Sequence, residues 1–294
     1  MGIANIIPGV SGGTFALILG IYERLIASIG AFGIQSGKIL LKLLARPKDA
    51  GRRRDFKDEI KRTDTVWLMV LLAGAAAAIL ASSRLIAFLL DEHRAPTLAF
   101  FVGLIVPSIL VPFGLLQRRG WKELLACVVA AAFLVSITVF LKPVGGEGTG
   151  LIILFLAGVV SISAMILPGI SGSFVLMVMG EYRTVLEAIN TMDIVKLAVF
   201  ALGCLVGIVA FVRLLNFLLK RYHSVTMAFL IGLILGSLWV LWPFKEVAEG
   251  AKIVTGTNVL PQAFDAGVIW SLGALLAGLV CSAGMFWMGK AVKK

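Results

Sequence analysis

The residue types that could do chemistry in this sequence are concentrated in two short stretches that nearly repeat each other. The first is NIIPGVSGGT at residues 5–14, and the second is MILPGISGS at residues 165–173. Proline removes a backbone donor and disfavours α geometry in the residue before it, and serine can cap a helix that restarts. Each stretch therefore predicts a helix, a break and a second helix.

The chemistry that such breaks offer is anion binding. A helix that restarts after the proline-glycine pair has free N–H groups and the positive end of its dipole at the break. Gly12, Gly13 and Gly172 allow close backbone approach. Ser11 and Ser171 add hydroxyl donors. The alternative interpretation is that these residues only break and cap helices.

Two arginines are further candidates for anion binding. Arg84 and Arg213 begin the matching stretches RLIAFLL and RLLNFLL, and each lies about six residues inside a long apolar run. A guanidinium at that depth is costly unless it is paired or snorkels, and snorkelling over roughly 9 Å is feasible. The sharper hypothesis is a bidentate contact from each arginine to a phosphate.

Two carboxylates flank the segments that follow the breaks. Glu23 and Glu181 could each carry a proton or another coupling ion. Helix capping, pairing with Arg24 or Arg183, and exposure at the membrane interface explain these positions equally well.

The composition decides the class of protein that holds these residues. Hydrophobic residues make up 60% of the 294 residues, and the mean hydropathy is +1.01. An ordinary soluble domain has an apolar share of roughly 45 to 50%. The chain is therefore an integral membrane protein, and its long apolar runs favour α-helices over barrel strands.

The net charge and the cysteines limit which kinds of partner and cofactor the sequence predicts. A net charge of +11 does not require nucleic acid, because basic residues in membrane proteins report orientation and anionic headgroups. Cys127, Cys204 and Cys281 lie in apolar runs without metal-ligand spacing. We expect them to be buried small hydrophobes, and we predict neither a metal nor a cofactor.

The lengths of the apolar segments suggest how the breaks are held. After each break the chain stays uncharged for only about 10 to 13 residues, which covers about 15 to 20 Å of a hydrocarbon core about 30 Å thick. We therefore predict re-entrant hairpins with tips at mid-membrane depth. Seven longer apolar runs remain: 65–90, 96–117, 121–141, 151–167, 194–219, 225–244 and 266–289.

An internal duplication extends beyond the breaks. TLAFFVGLI at 97–105 matches TMAFLIGLI at 226–234 with an offset of 129, whereas Pro8 and Pro168 are 160 apart. A basic insert at about 34–62 accounts for the difference. We predict an all-α membrane domain of two repeats, 1–142 with a short N-terminal hairpin leg and 143–294. Each repeat would hold one hairpin and three transmembrane helices, and an odd number of crossings inverts the second repeat.

The distribution of Lys and Arg predicts the orientation. With the basic insert inside, 18 of the 27 Lys and Arg residues lie on the cytoplasmic side and 7 on the other. The basic loops and the C-terminus are then cytoplasmic.

One motif resembles a known family. NIIPGVSGGT, followed by GIYERL at 20–25, is similar to the signature of the bacterial polyprenyl-phosphate transporter family, formerly a domain of unknown function. The resemblance covers nearly the whole chain. It implies a flippase of the plasma membrane that returns undecaprenyl phosphate from the outer to the inner leaflet, driven by an H⁺ or Na⁺ gradient. The site residues that it implies are Ser11, Gly12, Gly13 and Thr14 and, through the repeat, Ser171, Gly172 and Ser173.

Two enzyme classes and a carrier compete with this interpretation. Residues 9–13 fit the nucleophile pattern G-x-S-x-G, but the only histidines, His93 and His223, fall in predicted loops at helix ends. Phosphatases of undecaprenyl diphosphate resemble the paired breaks, yet glycines at 12 and 172 follow the serines where those enzymes have an arginine. A small-anion carrier remains open. We predict no enzyme activity, and alternating access with the phosphate between the two hairpin tips.

Overall fold

The chain folds almost entirely into α-helices. The computed structural model describes residues 1–6, 11–140, 150–246, 257–261 and 263–292. Residues 7–10 of the first break and the predicted repeat boundary at 142/143 lie outside the described residues.

Within the described ranges, six helices are long and apolar enough to cross a membrane, or up to seven if one bent pair is a single span. The prediction of an all-α, multi-pass membrane protein is confirmed. In chain order the helices are α1 Gly2–Ile6, α2 Gly12–Ile18, α3 Tyr22–Ala31, α4 Ile34–Ala45, α5 Ala50–Arg62, α6 Thr65–Glu92, α7 Arg94–Ile105, α8 Leu110–Gly114, α9 Trp121–Phe140, α10 Leu151–Ile166, α11 Gly172–Val178, α12 Tyr182–Asn190, α13 Ile194–Arg221, α14 His223–Val240 and α15 Ala266–Val292.

The helix boundaries follow the duplicated sequence. The two helices that carry the candidate arginines, α6 and α13, each have 28 residues, and α2 and α11, which follow the breaks, each have 7. A two-stranded antiparallel sheet, β1 (Lys245–Glu246) with β2 (Thr257–Asn258), precedes α15. The apolar run at 96–117 holds α7 and α8, which are separated by a 3-10 turn at Val106–Ile109 that contains Pro107.

Small residues let the long helices approach closely. A Cβ added at Gly103 of α7 would lie 2.1 Å from the Leu275 carbonyl oxygen of α15. The equivalent Gly232 of α14 would clash in the same way with the Cys127 carbonyl oxygen of α9, at 2.1 Å. Association of helices in a bilayer depends on such packing, because lipid supplies no hydrophobic drive between helices.

The first short helix after a break lies in the centre of the bundle. Ala16 and Leu17 of α2 belong to the same buried cluster as Leu98 of α7 and Leu230 and Leu233 of α14. The outward faces of the long helices expose apolar side chains instead, as expected for lipid contact. Cys281 is exposed on such a face and Cys127 and Cys204 are half-buried, so the prediction that the cysteines are buried is wrong.

The basic insert is a pair of helices, α4 and α5. Glu59 of α5 accepts hydrogen bonds from Arg62 and from Ser36 of α4, and Arg62 Nη2 also donates to the Ala31 carbonyl oxygen at 2.8 Å. These contacts tie the insert to the end of α3. The apolar side chains Ile34, Leu41 and Leu44 of α4 are exposed, as on a helix that lies at a membrane surface.

Candidate functional site

The two breaks meet in the folded protein. Ser11 Oγ donates to the Leu167 carbonyl oxygen at 2.8 Å. The Gly169 N–H donates to Ser11 Oγ at 3.2 Å and to Thr14 Oγ1 at 3.1 Å. These bonds join residues more than 150 positions apart in the sequence, so the site is assembled from both halves of the chain.

Local sequence explains how α2 restarts beside the break. Ser11 is the N-cap in an extended conformation, and its Oγ accepts from the Thr14 N–H at 3.3 Å. The Gly12 N–H donates to Asn5 Oδ1 at 2.8 Å. Two of the free N–H groups at this helix end are therefore satisfied by side chains that the motif itself supplies.

Two glycines set how closely the breaks pack. A Cβ added at Gly13 would lie 2.5 Å from the Ile166 carbonyl oxygen, at the end of α10. Gly169 has φ +85°, and a Cβ there would lie 2.7 Å from the Leu233 carbonyl oxygen of α14. Both positions exclude a side chain, because the obstructing atoms belong to backbone.

The second break presents its hydroxyl groups differently. Ser171 is the N-cap of α11 but makes no capping hydrogen bond. Its Oγ lies 2.8 Å from Ser173 Oγ, and this pair is exposed. A Cβ added at the adjacent Gly172 would lie 3.1 Å from the Ser161 carbonyl oxygen of α10. The serine hydroxyls of the second break can therefore turn toward a ligand.

The two candidate coupling carboxylates are in opposite environments. Glu23 is exposed, and its Oε1 lies 3.1 Å from His223 Nε2. Glu181 is 1% exposed, and neither of its carboxylate oxygens has a hydrogen-bond partner among the described residues. Arg24 pairs with Asp64 at 2.6 Å and not with Glu23. Burial of a carboxylate without a partner is costly, and this cost distinguishes Glu181 from Glu23.

Two site residues escaped sequence reasoning. Asn5 supplies the carboxamide that holds α2 at the break, and buried Tyr22 donates from its hydroxyl to the Ile166 carbonyl oxygen at 3.4 Å. Comparison of the two motif copies could have pointed to Asn5, because it is a polar residue at the position where the second copy has the apolar Met165.

Comparison with known proteins identifies the family of the chain. Residues 1–259 match the family model described as undecaprenyl phosphate translocase-like. The chain belongs to this family. The curated relatives that match are named transporters and not enzymes, which confirms the prediction that this translocase-like protein is not an enzyme.

Two curated relatives share most of their length with this translocase-like protein. The polyprenyl-phosphate transporter of Vibrio cholerae is 39% identical over 259 residues, which cover 88% of this chain and 80% of the relative. The polyprenyl-phosphate transporter of Staphylococcus aureus is 33% identical over 261 residues, with 83% of each chain covered. No solved structure matches the translocase-like chain.

The candidate arginines of this translocase-like protein lie apart from the contacts between the breaks. Arg84 and Arg213 are both exposed on their helices. A Cβ added at Gly33, between α3 and α4, would lie 3.6 Å from Arg213 Nη2. The structure thus brings Ser11, Gly13 and Thr14 against the second break, whereas Gly12 contacts Asn5 of its own motif, and it leaves the two arginines on the surfaces of α6 and α13.

Proposed function

We propose that this protein carries polyprenyl phosphate across the plasma membrane and returns undecaprenyl phosphate from the outer to the inner leaflet. Membership of the translocase-like family and the names of two relatives support this proposal. The single observation that carries it is the pair of hydrogen bonds from the Gly169 N–H to Ser11 and Thr14. They bring two restarting helices, with N–H and hydroxyl donors, to one place inside an apolar bundle.

The phosphate headgroup binds at this junction. Ser171, Gly172 and Ser173 provide the donors that are accessible in the present arrangement, because within the described part of the chain the two hydroxyls bond only to each other. Ser11 and Thr14 are buried against the second break. They reach the headgroup when the breaks move apart, and Gly12 and Gly13 then leave room for phosphate oxygens close to the backbone.

The two halves form an inverted repeat, and the headgroup is exposed to each leaflet in turn. The contacts at the two ends of α13 support this arrangement. Glu23, at the start of α3, contacts His223, just after α13 ends. In the other hairpin, α12 ends at Asn190, and three residues separate this end from the start of α13 at Ile194. A helix of 28 residues is about 42 Å long, so the two hairpins flank opposite ends of α13.

Arg84 and Arg213 contact the phosphate on its way to or from the junction. Both guanidinium groups are exposed at equivalent positions of α6 and α13, and neither forms an ion pair within the described part of the chain. A guanidinium is the side chain best suited to bidentate contact with phosphate.

Glu181 couples transport to an ion gradient, with H⁺ or Na⁺ as the coupling ion. Its burial without a hydrogen-bond partner supports this role. An isolated carboxylate in an apolar bundle is stable only when it binds a proton or a cation. Glu23 is the weaker candidate, because it is exposed and contacts His223.

The basic helices α4 and α5, like the C-terminus, lie on the cytoplasmic side. Ten Lys and Arg residues lie between positions 34 and 62, eight of them in the two helices. Such a cluster next to a membrane is attracted to the anionic cytoplasmic leaflet.

Liposomes that contain the purified protein test the function. Three quantities are measured in parallel: movement of undecaprenyl phosphate between leaflets, release of inorganic phosphate from undecaprenyl diphosphate, and uptake of inorganic phosphate. Leaflet exchange alone is the expected result. Phosphate release that Ser11→Ala or Ser171→Ala abolishes would establish an enzyme instead, and uptake of inorganic phosphate without lipid exchange would establish a small-anion carrier.

A further inference from the structure

One cavity of the protein has no residue of either break in its lining. It has a volume of about 740 Å³ and is lined by α6, the start of α7 and the first turns of α15. Phe100, Phe101 and Trp270 give it a largely apolar wall, and Arg94 lies in its lining. Its volume is within the range of about 300 to 1,000 Å³ that is usual for pockets holding small ligands.

The cavity is at the end of the bundle opposite the basic insert. Helix α6 starts at Thr65, directly after the insert, and ends at Glu92, which lines the cavity. A 28-residue helix separates these ends by about 42 Å. With the proposed orientation, the cavity faces the outer leaflet.

Arg94 is an unusual cation because part of its guanidinium is buried without a partner. Its Nε atom is inaccessible to solvent and has no hydrogen-bond acceptor among the described residues. No ion pair in the described part of the chain involves Arg94. Buried cationic groups in proteins are normally paired, because removing them from water is costly.

A second cation lies near Arg94. Burial, and to a smaller extent repulsion from Arg94, lower the pKa of Lys245 to about 8. Lys245 is in β1, outside the spanning helices, and it also lacks an ion pair among the described residues. The charges of Arg94 and Lys245 repel each other, and a bound anion would offset both.

The other titratable groups in the cavity lining are exposed and form no ion pair with Arg94 among the described residues. Glu92 is exposed to solvent. His93 is also exposed, and its ring lies edge-on to Phe88 with 6.0 Å between centroids. The positive charge of Arg94 and Lys245 is therefore available to a ligand.

We propose that Arg94 forms a capture site for the phosphate headgroup of a lipid whose chain lies in the cavity against Phe100 and Trp270. Arg94 contacts two phosphate oxygens with its planar guanidinium, and the positive charge of Lys245 adds to the attraction. The apolar wall selects a lipid over a free anion, because only a lipid fills it. This inference rests on the proposed function and places its first step at the outer leaflet.

The test uses the full chain in liposomes with a photoactivatable short-chain polyprenyl phosphate as the probe. The measured quantity is the probe concentration that half-saturates labelling of the peptides containing Phe100 and Trp270. We expect Arg94→Gln to raise this concentration about tenfold, through loss of a charge-assisted hydrogen bond. Lys245→Gln should raise the half-saturating concentration by a smaller factor. Because Lys245 lies outside the helices, this variant tests the site even if Arg94→Gln does not fold.

Lys196→Gln is the matched control. Lys196 is a cation near the start of α13 that pairs with Asp193 at 3.6 Å. Its removal changes the net charge by the same amount, and labelling should stay at the wild-type level. An equal loss of labelling in the control would mean that general charge attracts the probe, which overturns the site.

Two competitors separate the possible ligands. Inorganic phosphate should compete far more weakly than unlabelled polyprenyl phosphate, and the corresponding polyprenol without phosphate should compete weakly too. Equal competition by inorganic phosphate would overturn the role of the lipid chain. Equal competition by the polyprenol would overturn the role of the two cations.

Leaflet exchange measured in the same liposomes separates this inference from the proposed function. Wild-type labelling in Arg94→Gln and Lys245→Gln, with normal exchange, would overturn the capture site and leave the transporter intact. Charge-dependent labelling without leaflet exchange would support the capture site and count against transport.

Discussion

The two breaks share a motif but have different roles in the folded protein. At the first break, Ser11 is 1% and Thr14 is 0% exposed, and both hydroxyls are bonded to the second break. At the second break, Ser171 and Ser173 bond to each other and are accessible. Ser11 and Thr14 of the first break therefore hold the two breaks together, and we call this pair the clasp. The hydroxyl groups of the second break are accessible donors. One motif can supply both functions because its hydroxyls both donate and accept.

The segments that follow the breaks also differ in charge. Gly20 and Gly180 both have positive φ, of 66° and 78°, and hold equivalent turns. The next residue is Ile21 after the first turn and Glu181 after the second. The first half therefore has an apolar residue where the second half has its buried carboxylate.

Among the substitutions that test the difference between the two breaks, Gly13→Ala should have the largest effect on stability and transport. Its Cβ would lie 2.5 Å from the Ile166 carbonyl oxygen, and backbone cannot move aside cheaply. We expect the free energy of unfolding to fall by about 1 to 3 kcal/mol. Leaflet exchange should fall at least about tenfold, a barrier increase that corresponds to roughly 1.4 kcal/mol. Thermal unfolding measures the loss of stability, and leaflet exchange in liposomes measures the loss of transport.

The control for Gly13→Ala is Ser173→Ala, at the equivalent position of the second break. Ser173 is exposed, so its truncation should leave the unfolding temperature unchanged. If Gly13→Ala melted and transported like the wild type, the clasp interpretation of the first break would be wrong.

Glu181→Gln should separate driven from passive transport. The amide keeps the shape of the side chain but cannot bind and release an ion, so exchange driven by an imposed H⁺ or Na⁺ gradient should fall about tenfold. Exchange without a gradient should persist. Glu23→Gln is the paired control, because Glu23 is exposed and contacts His223. An unchanged gradient response in Glu181→Gln would remove Glu181 from the coupling step.

Ser11→Ala and Ser171→Ala should divide stability from transport. Ser11→Ala removes the bond to the Leu167 carbonyl oxygen, so we expect a loss of about 1 kcal/mol in unfolding free energy. Thr14 still accepts from the Gly169 N–H and limits the damage. Ser171→Ala should leave stability unchanged and reduce exchange several-fold. A reversed pattern in melting and exchange would assign the clasp to the second break.

The smallest effect concerns the basic insert at 34–62, which only the first half carries. Hydrogen bonds from Arg62 and Ser36 lower the pKa of Glu59 from 4.5 to about 2. Because the folded pKa is below the ordinary value, this stabilisation is complete above about pH 4.5 and is lost as pH falls toward 2.

Hydrogen exchange of α4 and α5, corrected for intrinsic rates, should therefore speed up on acidification across this window. Glu59→Gln should show fast exchange already at neutral pH and little further change. Equal protection in both proteins at neutral pH would show that other contacts hold the insert.

Much of the fold could be predicted from the sequence, because the patterns involved are local. Proline, glycine and serine predicted a break and a restart in each motif, close to where α10 ends at Ile166 and α2 begins at Gly12, and the match of RLIAFLL with RLLNFLL anticipated two equal helices, α6 and α13. The composition decided the membrane class. The motif at residues 5–14 indicated the family that comparison then showed.

The candidate site was only partly predictable. Ser11, Gly13 and Thr14 could be named from the motif, but their partners Leu167 and Gly169 lie in the other half of the chain. No local sequence pattern predicts that the hydroxyl groups of one break form hydrogen bonds with the other break. The roles of Arg84 and Arg213 at the phosphate stay predictions.

The sequence by itself determined where helices stop and restart, because those preferences act between residues a few positions apart. The tertiary structure decided which hydroxyls are occupied and that Glu23 contacts His223. It also decided that the Glu181 carboxylate and the Arg94 Nε are buried without a hydrogen-bond partner among the described residues. Burial and pairing depend on which distant segments pack together. Two nearly identical stretches can therefore differ in the one property that determines their chemistry.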